Sequence, residues 1–97
     1  MLIVRKEAEQ DLKQAFDWYE AQRKNLGLSF LTEVEKLFDN IEENPQLYFP
    51  IALPISRALC KRFPYAVYFL KRGSNIDVLA VLHQRRKPSA WRKRFHT

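Results

Sequence analysis

The sequence predicts a two-layer α+β fold, and three observations predict it. Apolar residues recur at helical spacing in two successive stretches between residues 8 and 41. From residue 55 onward they run consecutively or alternate, which is the mark of strands. Between the two halves lies an aromatic, proline-rich connector, residues 46–54. The expected molecule is a helical hairpin packed on a twisted, mainly antiparallel, four-stranded sheet, closed by a short C-terminal helix.

Each element has a local reason. Leu2-Ile3-Val4 is a short β-branched run and reads as an opening or edge strand. Ala8, Leu12, Ala15, Tyr19, Gln22 and Leu26 share one arc at 100° per residue, with Glu9, Lys13, Asp17, Glu20 and Lys24 opposite. That is an amphipathic helix of roughly five turns. Gly27 is expected as its left-handed C-terminal cap, and Ser29 as the N-cap of a second helix. The second helix carries Phe30, Val34, Leu37, Phe38 and Ile41 on one stripe and stops at Asn44-Pro45.

Residues 56–62 alternate weakly and end before Pro64. Tyr65–Leu70 and Ile76–Leu82 are apolar on both faces, and Arg72-Gly73-Ser74-Asn75 turns between them, an antiparallel hairpin. Pro88 suits the first turn of a terminal helix through Trp91 and Arg94. Because the long apolar runs end near Leu82, the segment after Pro88 is expected to be removable without loss of the fold.

Composition narrows the class. The 97 residues form one domain, 1–97, with 46% hydrophobic residues and only two glycines, which excludes a low-complexity chain. Cys60 is the single cysteine, so no internal disulfide forms, and two scattered histidines build no zinc site. No membrane span or signal peptide is expected, no metal and no cofactor, and the expected location is the cytoplasm. The charge is strongly polarised. Residues 1–54 hold six Lys/Arg and ten Asp/Glu, a net of −4, whereas residues 55–97 hold eleven Lys/Arg and one acid, Asp77, a net of +10. Such a surface attracts a polyanion or an acidic protein.

The basic half contains three clusters: Arg57 with Lys61 and Arg62, then Arg85, Arg86 and Lys87, then Arg92, Lys93 and Arg94. Tyr65, His83 and Trp91 are interleaved with them. Arginine forks beside aromatic rings hold phosphates and stack bases, and they also clamp carboxylates. His83 has an ordinary pKa near neutrality, and a nuclease would use it as acid or base with Arg62 and Arg85 on the phosphate. Asp77, six residues earlier, is expected on the opposite side of the strand, so no Asp77–His83 pair is expected. Trp18 and Tyr19 read as core and flank, and Cys60 as a small core residue.

Taken in order, these residues resemble the RelE/ParE superfamily of bacterial type II toxin–antitoxin toxins. The resemblance runs through Ala8, Asp11-Leu12, Trp18-Tyr19-Glu20, Gly27-Leu28, Phe30-Leu31, Glu33-Val34-Glu35, Ile41, Asn44-Pro45 and Tyr48. It continues with Arg57, Phe63-Pro64-Tyr65, Val78–Val81, His83, Arg85-Arg86, Pro88 and Trp91-Arg92. It implies that the first strand lies beside the last. It also implies a cognate antitoxin with an acidic C-terminal segment, and operator DNA bound only through that antitoxin.

RelE-like members cleave mRNA in the ribosome. ParE-like members, also described as plasmid stabilisation proteins, poison DNA gyrase. The absence of a terminal tyrosine, with Trp91 in that region, and of a clear carboxylate base favours the ParE-like branch. The residues expected to bind target or antitoxin are Arg57, Lys61, Arg62, Tyr65, His83, Arg85, Arg86, Trp91, Arg92 and Arg94. A non-toxic RNA-binding module is the competing class.

Overall fold

Two helices cover one face of a five-stranded sheet, and a short third helix covers part of the other. The computed structural model describes residues 1–95. The elements are β1 (Leu2–Val4), α1 (Lys6–Gln22), α2 (Leu26–Glu43), a 3₁₀ turn (Pro45–Leu47), β2 (Pro50–Ala52), β3 (Ile55–Leu59), β4 (Tyr65–Arg72), β5 (Asn75–His83) and α3 (Ser89–Phe95). The strand order is β1-β5-β4-β3-β2. β1 runs parallel to β5 with Ile3 opposite Asp77, and the remaining pairs are antiparallel. The first strand therefore does lie beside the last, and β5 sits in the sheet's interior.

The fifth strand corrects the expectation of four. β2 lies inside the proline-rich connector, where Pro50 and Ala52 pair with the start of β3. The helix junction also differs from the expected one. Asn25, not Gly27, takes the left-handed conformation, at φ 70°. Gly27 falls within the first turn of α2, and Leu26 opens that helix rather than completing α1. A Cβ on Gly27 would sit 2.8 Å from the Phe16 ring and its carbonyl oxygen, so glycine lets the two helices approach. The N-terminus of α2 is capped from α1 rather than by Ser29. The Glu20 carboxylate accepts the N–H groups of Asn25 at 2.8 Å and Gly27 at 2.9 Å.

The helical face buries Ala8, Ala15 and Tyr19 of α1 and Phe30, Val34 and Ile41 of α2. They pack on Ala58, Val67, Phe69, Ile76, Val78 and Val81 of the sheet, with Cys60 and Phe63 beside them. The second face is also apolar: Ile55, Tyr68, Leu70, Leu79, Ala80 and Leu82 pack there with Trp91 of α3.

A bulge in β5 sets which residue faces which side. Phe69 pairs with Val78 and Tyr68 with Ala80, so Leu79 is an extra residue. Asp77 and His83 do lie on opposite faces, but spacing alone does not put them there. Six residues is an even number, and a regular strand would aim both the same way. The bulge reverses the phase between them.

Between β4 and β5 the turn is only Gly73-Ser74, with Gly73 at φ +61°. Positive φ at the first central residue fits a II′ hairpin turn.

Candidate functional site: an aromatic cleft and a scattered cationic surface

α1 and the ends of β4 and β5 enclose an open cleft of ≈ 510 Å³. Trp18, Tyr19, Tyr65, His83 and Arg86 line it, above a floor that includes Asp11 and Val81. The rings touch in sequence. Trp18 meets Tyr19 edge-on at 5.1 Å between centroids, Tyr19 meets Tyr65 at 6.0 Å, and Tyr65 meets His83 at 5.5 Å. Tyr65 and His83 are directly opposite each other across β4 and β5, which is why their rings meet. The reading of Tyr19 as core holds, whereas Trp18 is 59% exposed at the cleft mouth.

Asp11 is the residue the sequence reading passed over as a site element. It is 8% exposed and sits where β1 has ended and the edge of β5 is open. Its carboxylate accepts the Val81 N–H at 3.0 Å and both Nη groups of Arg94, one of them at 3.0 Å. Arg94 also donates to the Leu79 carbonyl at 3.3 Å. Arg5 donates to the Arg94 carbonyl at 3.1 Å and pairs with Asp77 at 3.4 Å. These two pairs tie α3 to the sheet edge and satisfy groups that β1 is too short to reach. Asp11 is visible in the sequence only as a polar residue three after Ala8 and four before Ala15, on the buried stripe.

His83 holds its ring through a local bond, with Nδ1 accepting the Arg85 N–H at 3.1 Å. While that bond stands, the ring proton sits on Nε2. Burial raises the Tyr65 hydroxyl above its ordinary value, the Asp11 charge adds to the effect, and Arg86 offsets part of it. Tyr65 therefore stays protonated at neutral pH. Burial pushes the Cys60 thiol up to about 11, as the core reading requires.

The expected site residues do not converge. Tyr65, His83 and Arg86 line the cleft, whereas Arg57, Lys61, Arg62, Arg85 and Arg92 do not. Arg62 pairs with Glu33 of α2 at 3.6 Å. Arg57 lies opposite Tyr68, on the sheet face away from the helical hairpin. Trp91, expected on the docking surface, is instead buried: it is 5% exposed and stacked on Tyr68 at 5.3 Å. Arg94 is engaged with Asp11. These placements overturn the expectation that everything after Pro88 is dispensable to the fold. Ten of the eleven bases of residues 55–97 are exposed, Arg94 being the exception.

The helical hairpin, the parallel first strand and this cationic second half make up a small α+β fold. A family model for the ParE toxin of type II toxin–antitoxin systems, parDE, matches residues 2–88. The chain belongs to that family. No curated protein matches the sequence. A solved structure described as a chromosomal ParDE toxin–antitoxin system from P. aeruginosa superposes with a TM-score of 0.75. It is 15% identical, and the match covers 84% of this chain and 92% of that one. At that identity the likeness speaks for the fold alone. Among the described residues no helix is long and apolar enough to cross a membrane.

Proposed function

We infer that this toxin acts on DNA gyrase in the cytoplasm, blocking replication and arresting growth, and that an acidic segment of its antitoxin silences it. The observation carrying this reading is that the groups expected for metal-free RNA cleavage do not all line one cleft. Of His83, Arg62 and Arg85, only His83 lines the cleft. The cleft's carboxylate, Asp11, has its oxygens occupied by Arg94 and Val81. Tyr65 keeps its proton. A general base needs a free lone pair within hydrogen-bond reach of the hydroxyl it deprotonates, and this set offers a poor one.

What remains is a binding surface. Arg85, Arg86, Lys87, Arg92 and Lys93 are exposed, and none has an acidic partner among the described residues. Such a patch steers an acidic protein partner and gives association that falls with salt. The antitoxin and the target then compete for overlapping positive surface, which is how binding would silence the toxin.

The test is a gyrase supercoiling reaction with the purified chain. Inhibition with trapped linear DNA, relieved by the protein of the adjacent reading frame, is the expected result. Full supercoiling at a large excess of toxin would overturn it.

A further inference from the structure

We propose that the cleft between α1 and the ends of β4 and β5 binds a nucleotide, its base laid on the aromatic wall and its phosphate on Arg86. The inference goes beyond gyrase inhibition and does not depend on it. At ≈ 510 Å³ the cleft falls in the range of small-ligand sites, about 300–1,000 Å³.

The wall is a continuous run of four rings, Trp18, Tyr19, Tyr65 and His83. Trp18 leaves 59% of its surface in water at the mouth, although a ring of that size gains much from contact. A planar base provides that contact by stacking on the exposed aromatic side chain. A peptide carboxylate would use the arginine and leave the rings without a flat partner.

The electrostatics admit a phosphate. Asp11 is the acid of the cleft, and the Arg94 fork paired with its carboxylate offsets part of the repulsion an anion meets there. Arg86 lines the same cleft, is exposed, and has no ion-pair partner among the described residues. Arg85 and Lys87 flank it in sequence and extend the positive field. An arginine fork matches two phosphate oxygens at once. For the base edge there are two polar groups. The Gln14 amide on the cleft lining both donates and accepts, and His83 carries its proton on Nε2. The shared ligand chemistry is a nucleobase with an attached phosphate, free or as one residue of a single strand.

The test titrates the full chain with AMP, GMP and dTMP, then with a short oligothymidylate, following tryptophan emission and calorimetry at low salt. Trp91 is buried, so quenching reports Trp18. Saturable binding is expected. Trp18→Ala should weaken it about tenfold or more, the equivalent of about 1.4 kcal/mol. Arg86→Gln should weaken the nucleotides but not the corresponding nucleosides. Lys71→Ala, an exposed base at the far end of β4, should bind as the parent does.

Tighter binding of the oligothymidylate than of dTMP would assign the cleft to single strands, and equal binding to free nucleotides. Both outcomes support the proposal. No saturable binding up to about 10 mM, ten times a millimolar Kd, would overturn it. So would ribose 5-phosphate binding as well as AMP, or unchanged affinity in Trp18→Ala. A chain that inhibits gyrase yet binds no nucleotide would refute this inference alone.

Discussion

Trp91→Ala is expected to destabilise the fold by about 3–5 kcal/mol, the usual cost of removing a large aromatic core residue. The figure follows from the structure. Trp91 is 5% exposed and stacks on Tyr68 at 5.3 Å with 16° between the planes. A tryptophan buries about 150–250 Å², which at about 25 cal/mol per Å² is worth about 4–6 kcal/mol as an upper bound. The loss would uncover Tyr68, Leu79 and Leu82 on the second face of the sheet. A domain of this size has a total stability of about 5–15 kcal/mol, so the variant would be marginal.

Trp91→Phe keeps a ring in the slot and should cost about 1–2 kcal/mol, within the common range for point substitutions. Lys93→Ala, on the exposed side of α3, should stay within about 0.5 kcal/mol. Urea unfolding followed by far-UV circular dichroism reads all three. With m near 1–3 kcal/mol/M, Trp91→Ala should lower the midpoint by about 1 M or more. An unchanged midpoint would show that Trp91 is a surface docking residue and that the core ends at β5.

Other outcomes follow from the same geometry. Gly27→Ala should lower stability by about 1–3 kcal/mol in thermal unfolding, although helix propensity alone favours alanine by about 1 kcal/mol, because the added methyl meets the Phe16 ring and carbonyl at 2.8 Å. Phe30→Ala should cost about 3–5 kcal/mol and Phe38→Ala clearly less, since Phe30 is fully buried and Phe38 only half so; equal costs in urea would contradict the burial.

Cys60 should resist alkylation at pH 8 in the native protein, because burial pushes its thiol up to about 11. Between about pH 9 and 11 the unfolded thiol loses its proton while the folded one keeps it. The Cys60 contribution to stability is therefore present below pH 9 and declines as pH rises. Cys60→Ala should flatten that part of the stability curve.

Periodicity made the helices and the β4–β5 hairpin legible, because Phe30, Val34 and Ile41 repeat at helical spacing and residues 76–82 form one apolar run. β2 escaped because a three-residue edge strand that opens on Pro50 and is followed by Pro54 carries almost no pattern. The bulge at Leu79 has no sequence mark, since every residue around it is apolar, yet it decides the faces of Asp77 and His83. Gly27 looked like a cap because it follows the last periodic residue, and its real constraint is a neighbour, Phe16, eleven positions earlier. α3 looked like a basic appendage because Arg92, Lys93 and Arg94 run together in it. Its core role depends on Trp91 meeting Tyr68 and on Arg94 meeting Asp11 83 positions away. The cleft was half legible. Tyr65, His83 and Arg86 were among the expected residues, whereas Asp11 and Gln14 come from the facing helix, which the cationic reading ignored.

One pairing of assays tests the central claim most directly. The wild-type chain and His83→Gln, which keeps a hydrogen-bonding side chain but cannot serve as a general acid or base, are compared on two substrates. One is gyrase with supercoiling and trapped breaks as readout, and the other is mRNA on programmed ribosomes. The account predicts that both proteins inhibit gyrase equally and that neither cuts mRNA. Ribosome-dependent cuts that fall by about 100-fold or more in His83→Gln, with gyrase untouched, would contradict it and make His83 a general acid or base.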